Sequence, residues 1–423
     1  MIAILLFILL MLTSTPLAAA LGLSSIYAVL DSGHSLDNVA RTMFSGIDSF
    51  TLMAIPFFIF AGDLMLSGGT SKRLINVAKK AIGWTTGGLP IAGVLSSMFF
   101  AALSGSSPAT VAAVGGVMIP SLREANYSAK FSVGLMCAAG SLGIIIPPSI
   151  TLLVYGVTAQ VSISQLFIAG VIPGIFIGFV LIGLSYIIAK RQGHRPGERN
   201  SLKEVGMASI DAVWGIIMPV IVLGGIYFGV FTPTEAAAVA IVYSLVIGMF
   251  VYKEITIKTL MVVAKRSVVI SSMVMLVISS AQIFSWYLTM EQIPSKLAGQ
   301  ILSYANDPIV LILLITLILL IVGMFMDASA AVLILTPLFL PIVLEFGMSP
   351  VHFGVVMIVN LAIGMLTPPF GLNLFVGAGI SKLPLSTVIR ATLPFILVLI
   401  GALLVITFTP WMSTLLPSLM MQD

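Results

Sequence analysis

Leu103-Ser104-Gly105-Ser106-Ser107-Pro108-Ala109-Thr110 lies in the middle of an apolar run from Leu89 to Pro120. Small hydroxyl residues, a glycine and a proline make a poor lipid-facing helix. Lipid supplies no hydrogen bonds, so a broken backbone at membrane depth is tolerated only where protein buries it or a wet cavity reaches it. A kinked helix with small packing residues would use the same residue types. A second copy decides between the two. Adding 221 to the residue number carries Ala109 onto Ala330, Pro120 onto Pro341 and Gly143 onto Gly364. The same offset carries Pro147-Pro148 onto Pro368-Pro369, Gly156 onto Gly377 and Pro173 onto Pro394. The chain therefore reads as a long internal repeat, roughly 51–190 and 267–411, each copy with a broken hairpin followed by a helix broken at Pro-Pro. Paired discontinuous helices in two halves point to a transporter binding site.

The chain has 423 residues, of which 59% are hydrophobic and 8% charged. Soluble domains carry about 25% charged residues, so the composition implies an all-α polytopic membrane protein. No basic stripe with interleaved aromatics exists, which excludes nucleic acid as a partner. Cys137 is the single cysteine, excluding internal disulfides and cysteine-based metal sites. His34, His194 and His352 fall in predicted loops, far apart and without zinc-like spacing. No nucleophile–base pair or metal cluster supports catalysis or an organic cofactor.

Residues 2–30 are apolar with Pro16 in the middle. Leu17-Ala18-Ala19-Ala20 resembles a signal-peptidase site, but no basic n-region precedes it and the apolar run continues to Leu30, so a retained membrane helix is expected. Residues 1–50 are read as an N-terminal span and outer segment of a scaffold, and 51–66 as a short second span. The basic and apolar faces of 71–82 suit a helix in the membrane interface. The first hairpin is expected over 88–120 and the first broken span over 131–157, interrupted at Ile146-Pro147-Pro148-Ser149. A span over 163–189, a polar linker over 190–204 and scaffold spans over about 212–231 and 236–252 follow. The second copy gives a span over 267–289, a hairpin over 309–341, a broken span over 353–379 and a last span over 391–411, with 412–423 as a tail. Trp84, Trp214, Trp286 and Trp411 fall near span ends, as interface anchors do. Glu235, in Thr232-Pro233-Thr234-Glu235-Ala236, reads as a helix cap.

Charge sets the topology. If both hairpins re-enter and leave on the side they came from, 17 of the 19 Lys and Arg residues share one side, with only Arg41 and Lys296 opposite. By the positive-inside rule that side is cytoplasmic. The N-terminus is then cytoplasmic and the C-terminus periplasmic. The loop before the first hairpin carries Lys72, Arg73, Lys79 and Lys80, whereas its counterpart carries Glu291, Lys296 and Asp307. The first hairpin thus enters from the cytoplasm and the second from outside, so the repeats are inverted. That arrangement suits alternating access better than a pore.

Ionisable groups are almost absent from the spans. Asp63 is placed near the inner end of span two, within reach of the interface. Asp327, in Phe325-Met326-Asp327-Ala328-Ser329, falls at the second hairpin tip, where charge is costly and functional by default; Asp there also suits a helix N-cap. The offset pairs it with Ser106. Prolines at the two breaks free carbonyls by removing donors, and Gly143 and Gly364 allow close backbone approach. Hydroxyls, carbonyls and one carboxylate make a hard-oxygen site suited to sodium. Half-helix N-termini at the tips can hold an anion there without a buried Lys or Arg.

Ser104-Gly105-Ser106-Ser107-Pro108-Ala109-Thr110, Ile146-Pro147-Pro148-Ser149, Gly323-Met324-Phe325-Met326-Asp327 and Leu366-Thr367-Pro368-Pro369 resemble the large membrane subunit of tripartite ATP-independent periplasmic (TRAP) transporters. The resemblance covers essentially the whole chain. It implies a bacterial inner-membrane location and an elevator-type, sodium-driven transporter. It also implies a small four-helix membrane subunit as partner and a periplasmic substrate-binding protein that delivers an organic acid. By position, one sodium site would comprise Ser104, Ser106, Gly143, Ile146 and Pro148, and a second Asp327, Gly364, Thr367 and Pro369. Ser107, Thr110 and Asn373 are polar positions near the breaks, read as substrate contacts. The Ser-Ser-Pro-Ala-Thr tip leans toward C4-dicarboxylates, with sialic acid next. A self-sufficient sodium–dicarboxylate symporter of the same architecture is the alternative. Membrane lipid is the surrounding partner in either case.

Overall fold

The computed structural model describes residues 2–13, 15–194, 200–293, 296 and 307–421, and every regular element among them is helical. Eight of the described helical stretches are long and apolar enough to cross a membrane. The chain opens with α1 (Ile2–Leu12), α2 (Leu17–Asp31), α3 (Leu36–Ser45), α4 (Ala54–Ser67) and α5 (Thr70–Ile82). Next come α6 (Gly88–Ser104) and α7 (Ser107–Thr110), which passes through a π-helical turn, Val111–Gly115, into α8 (Gly116–Glu124). Then follow α9 (Ala129–Gly140), α10 (Leu142–Ile145), α11 (Ile150–Ala159) and α12 (Ile163–Arg191). The middle holds α13 (Leu202–Tyr227), α14 (Pro233–Val246) and α15 (Ile257–Met290). The remainder is α16 (Pro308–Phe325), α17 (Ala328–Glu345), α18 (Pro350–Gly364), α19 (Leu372–Ser381), α20 (Leu385–Thr407) and α21 (Trp411–Met420).

The helices pack in two groups that are joined by α5 and α4 on α6 and by α15 on α17. In the outer group α2, α3 and α4 lie on α15, α4 also lies on α14, and α5 lies on α13. In the other, α9 packs on α20, α11 on α17, α16 on α18 and α12 on α21; α6 also touches α8, and α16 touches α17.

Proline and its neighbours place the helix breaks. Ile146 is extended, as a residue before proline is forced to be. Ser149 then joins the two halves: its hydroxyl donates to the Ile144 carbonyl at 2.6 Å and accepts from Leu152 N at 3.3 Å, satisfying groups that a broken helix orphans. The Pro147-Pro148 and Pro368-Pro369 peptides are both cis. At the first tip Gly105 ends α6 with φ +59°, and a Cβ there would lie 2.9 Å from the Pro148 carbonyl, so glycine is required. At the second, Asp327 caps α17 by accepting from Ser329 N at 2.9 Å. Thr232 and Glu235 form a reciprocal capping box on α14: Thr232 N donates to Glu235 Oε2 at 2.8 Å, and Glu235 N donates to Thr232 Oγ1 at 3.3 Å.

Several expectations change. The N-terminal apolar run is two helices, not one, because Pro16 disfavours helix in the residue before it. The helix expected over 267–289 begins at Ile257, capped by the Thr256 side chain. Its 34 residues extend about 51 Å at 1.5 Å each, beyond a hydrocarbon core of about 30 Å, so Lys258, Lys265 and Arg266 lie on the helix rather than in a loop. His352 is not in a loop. It is buried in α18, where Nδ1 lies 2.6 Å from Ser413 Oγ and Nε2 lies 3.1 Å from the Thr407 carbonyl. The segment read as a tail is therefore a docked helix, α21. The α4 stretch turns by 62° into α5. There Arg73 pairs with Asp211 and Glu254 and lies 3.8 Å over the Tyr252 ring, tying α5 to α13.

Candidate functional site

A cavity of about 220 Å³ separates the two helix groups. One wall is α4 and α15, with Asp63 and Arg266 among its residues; the other is the two tips, Ser104-Gly105-Ser106 and Asp327 with Ser329, together with Thr151 beside the first break. Ser106 and Asp327, equivalent by the 221-residue offset, thus face one space. Thr151 Oγ1 and Ser329 Oγ stand 3.5 Å apart across it.

The first tip is a knot of oxygens. Ser104 Oγ lies 3.0 Å from Thr110 Oγ1 and 3.4 Å from the Ser106 carbonyl, and Thr110 Oγ1 donates to that same carbonyl at 2.8 Å. Ile150 N donates to the Gly105 carbonyl at 3.3 Å, fastening the tip to the first break. Gly143 lies directly beneath: a Cβ there would meet the Ser106 carbonyl and the Thr110 hydroxyl. Ile146 packs against Gly174 of α12. Ser104, Ser106, Gly143 and Pro148 are therefore neighbours, and their donor set of hydroxyl and carbonyl oxygens fits an alkali cation rather than a soft metal. Among the described residues no group of three or more His, Cys, Asp or Glu can hold a metal.

The second tip is more open. The Asp327 side chain faces the cavity instead of being sealed in protein. Gly364 abuts Gly323, one turn before Asp327, with its would-be Cβ 2.6 Å from Gly323 Cα. Thr367 Oγ1 donates to the Ile363 carbonyl at 2.9 Å, and Thr367 O accepts from Gly371 N at 3.2 Å. Of this break only Met365 lines the cavity; Gly364, Thr367 and Pro369 do not.

The three expected substrate contacts are placed differently. Ser107, Thr110 and Asn373 are fully buried and do not line the cavity. Asn373 Nδ2 donates to Ser107 Oγ at 2.8 Å and to the Cys137 carbonyl at 3.3 Å, while Ser107 Oγ returns a bond to Asn373 Oδ1 at 3.1 Å. Ser107 and Asn373 thus brace the first tip against α19, while the Thr110 hydroxyl is spent within the tip on Ser104 and the Ser106 carbonyl. The place of Asp63 and Arg266 at the cavity escaped sequence reasoning, which put Asp63 near the interface and Arg266 in a cytoplasmic basic cluster. Ser267 Oγ donates to Asp63 Oδ2 at 2.8 Å, drawing Asp63 to the cavity wall, and Arg266 stands next to Ser267. The one available signal was the presence of charged residues within or beside apolar runs.

The family model for the DctM component of tripartite ATP-independent periplasmic transporters matches residues 4–412. The chain is 44% identical over 400 residues to a C4-dicarboxylate TRAP transporter large permease protein of Pseudomonas aeruginosa, covering 94% of each. It is also 44% identical over 406 residues to an isethionate TRAP transporter permease protein of Oleidesulfovibrio alaskensis; this covers 96% of the chain but spans only 64% of that relative's length. Among solved structures, the YdaH transporter of Alcanivorax borkumensis shares the fold, with a TM-score of 0.63 at 16% identity over 99% of both chains.

Proposed function

Because the chain belongs to the family of TRAP transporter large permease subunits, we propose that it imports organic acid anions, C4-dicarboxylates foremost, by sodium-coupled elevator movement. The observation that carries this reading is the shared cavity: hydroxyl and carbonyl oxygens of one tip and the carboxylate of the other face a single space between two packed helix groups. Ser104, Ser106, Gly143, Ile146 and Pro148 supply oxygens or close approach for one sodium, and Asp327, Gly364, Thr367 and Pro369 for a second. Sodium neutralises Asp327 and lets an anion enter. The tip group then moves past the outer group. A small membrane subunit completes the outer group, and a periplasmic binding protein delivers the acid. A self-sufficient symporter is disfavoured, since the relatives are permease subunits of tripartite systems.

Succinate uptake into proteoliposomes holding this chain, its small subunit and its binding protein should require a sodium gradient and ignore ATP. Full transport on a proton gradient alone refutes the sodium reading. The inverted topology has its own test. A cysteine introduced at position 197 should be labelled from the cytoplasm and one at 304 from the periplasm; both positions lie outside the described residues. Labelling of both from one side overturns the inverted arrangement.

A further inference from the structure

Arg266 is a guanidinium without an ion pair among the described residues; the two ion pairs found there both belong to Arg73. It is nevertheless one of the residues lining the central cavity, on the wall opposite the two tips. Among the described residues it is the only Lys or Arg lining that cavity, and the only other charged residues there are Asp63 and Asp327. Asp63 is engaged by Ser267, the residue after Arg266 in α15. The fixed charge of the cavity is thus minus one with Arg266 and minus two without it, and an organic anion must enter against that charge. A guanidinium cannot be deprotonated in proteins and presents a planar fork that matches a carboxylate. Position adds a second argument. Arg266 lies about 14 Å along α15 from Ile257 at 1.5 Å per residue, and α15 packs chiefly on α2 and α4, with a smaller contact on α17 of the second tip.

We infer that Arg266 binds a carboxylate of the transported acid in one of the two transport states only, the state in which the tips face the cytoplasm, as a specificity residue on the static wall. The inference rests on the proposed transport reading. Substrate held by the moving tips meets Arg266 when the cavity is as seen here and leaves it when the tips move away. The residue therefore tunes affinity at the cytoplasmic face, where the acid is released.

The test is succinate exchange by the reconstituted complex, with half-saturation measured separately from each face. Arg266→Gln should raise the cytoplasmic half-saturation concentration about tenfold, the value of one hydrogen bond to a charged group. The periplasmic value, the maximal rate and the sodium activation curve should stay unchanged, and Arg266→Lys should restore part of the loss. Unchanged values at both faces overturn the inference and leave the transport reading standing. An equal rise at both faces overturns the one-state contact. A rise found in vesicles with anionic lipid but absent in pure phosphatidylcholine assigns Arg266 to a lipid headgroup and overturns it too. Failure of the wild-type complex to move succinate, isethionate or sialic acid overturns the transport reading, and the inference with it.

Discussion

Asp327→Asn is expected to fold, assemble and transport, but to need about tenfold more sodium for half-maximal uptake, because a charge-assisted contact is about twice as strong as a neutral one. The substitution separates the two roles that Asp327 combines. As the cap of α17 it accepts from Ser329 N at 2.9 Å, and asparagine caps about as well as aspartate. Helix stability is therefore conserved while the charge facing the cavity is lost. Asp327→Ala removes both, adding about 0.5–2 kcal/mol of destabilisation. The deciding measurement is the sodium activation curve of Asp327→Asn against wild type at equal protein. Superimposable curves would reduce Asp327 to a cap and strip the second sodium site of its charged member.

Gly364→Ala should be more damaging, and for a purely steric reason. A Cβ at Gly364 would lie 2.6 Å from both Cα and C of Gly323. Both partners are backbone, so no side chain can swing aside. The α16 and α18 helices must part at the level where Asp327 is set, at an overpacking cost of about 1–3 kcal/mol. We expect a lower melting temperature in detergent and loss of sodium-dependent uptake. Gly379→Ala is the control, since nothing lies within 4 Å of its Cβ; replacing glycine inside a helix there should stabilise by about 0.5–1 kcal/mol. Wild-type melting and uptake in Gly364→Ala would show that the two backbones separate freely and that the close approach is not functional.

What could be read from sequence was whatever the backbone dictates locally. Pro147-Pro148 and Pro368-Pro369 interrupt helices because proline lacks a donor and constrains the residue before it, and the helices do stop at Ile145 and Gly364. Glu235 three residues after Thr232 is a capping box by spacing alone. Ser106 and Asp327 were tied by the repeat before either was located. What depends on packing was not legible. Asp63 and Ser267 are separated by 204 residues, and nothing local in either marks a shared wall. His352 looked like a loop residue because Pro350 precedes it; proline at the first turn instead opens α18. Ser107, Thr110 and Asn373 were correctly seen as polar and near the breaks, but pairing inside the protein, not exposure, accounts for their polarity.

The Ser107–Asn373 pair has a thermodynamic meaning. Ser107 follows Ser106 of one expected ion site, and Asn373 lies in the first turn of the half-helix after the break expected to serve the other, its N–H held by the Met365 carbonyl at 3.2 Å. Residues 266 positions apart are thus joined by a reciprocal pair of hydrogen bonds in a fully buried setting. An ion that fixes one tip fixes one end of this strut, and the other end is pre-ordered before its own ion arrives. Coupling between ligands is reciprocal by necessity, so under the proposed two-site reading each sodium would strengthen the hold on the other by the same factor. On that proposal the two ions would load together, and a half-loaded carrier, which would leak one gradient without moving its cargo, would be kept scarce by a serine and an asparagine outside both expected ion sites.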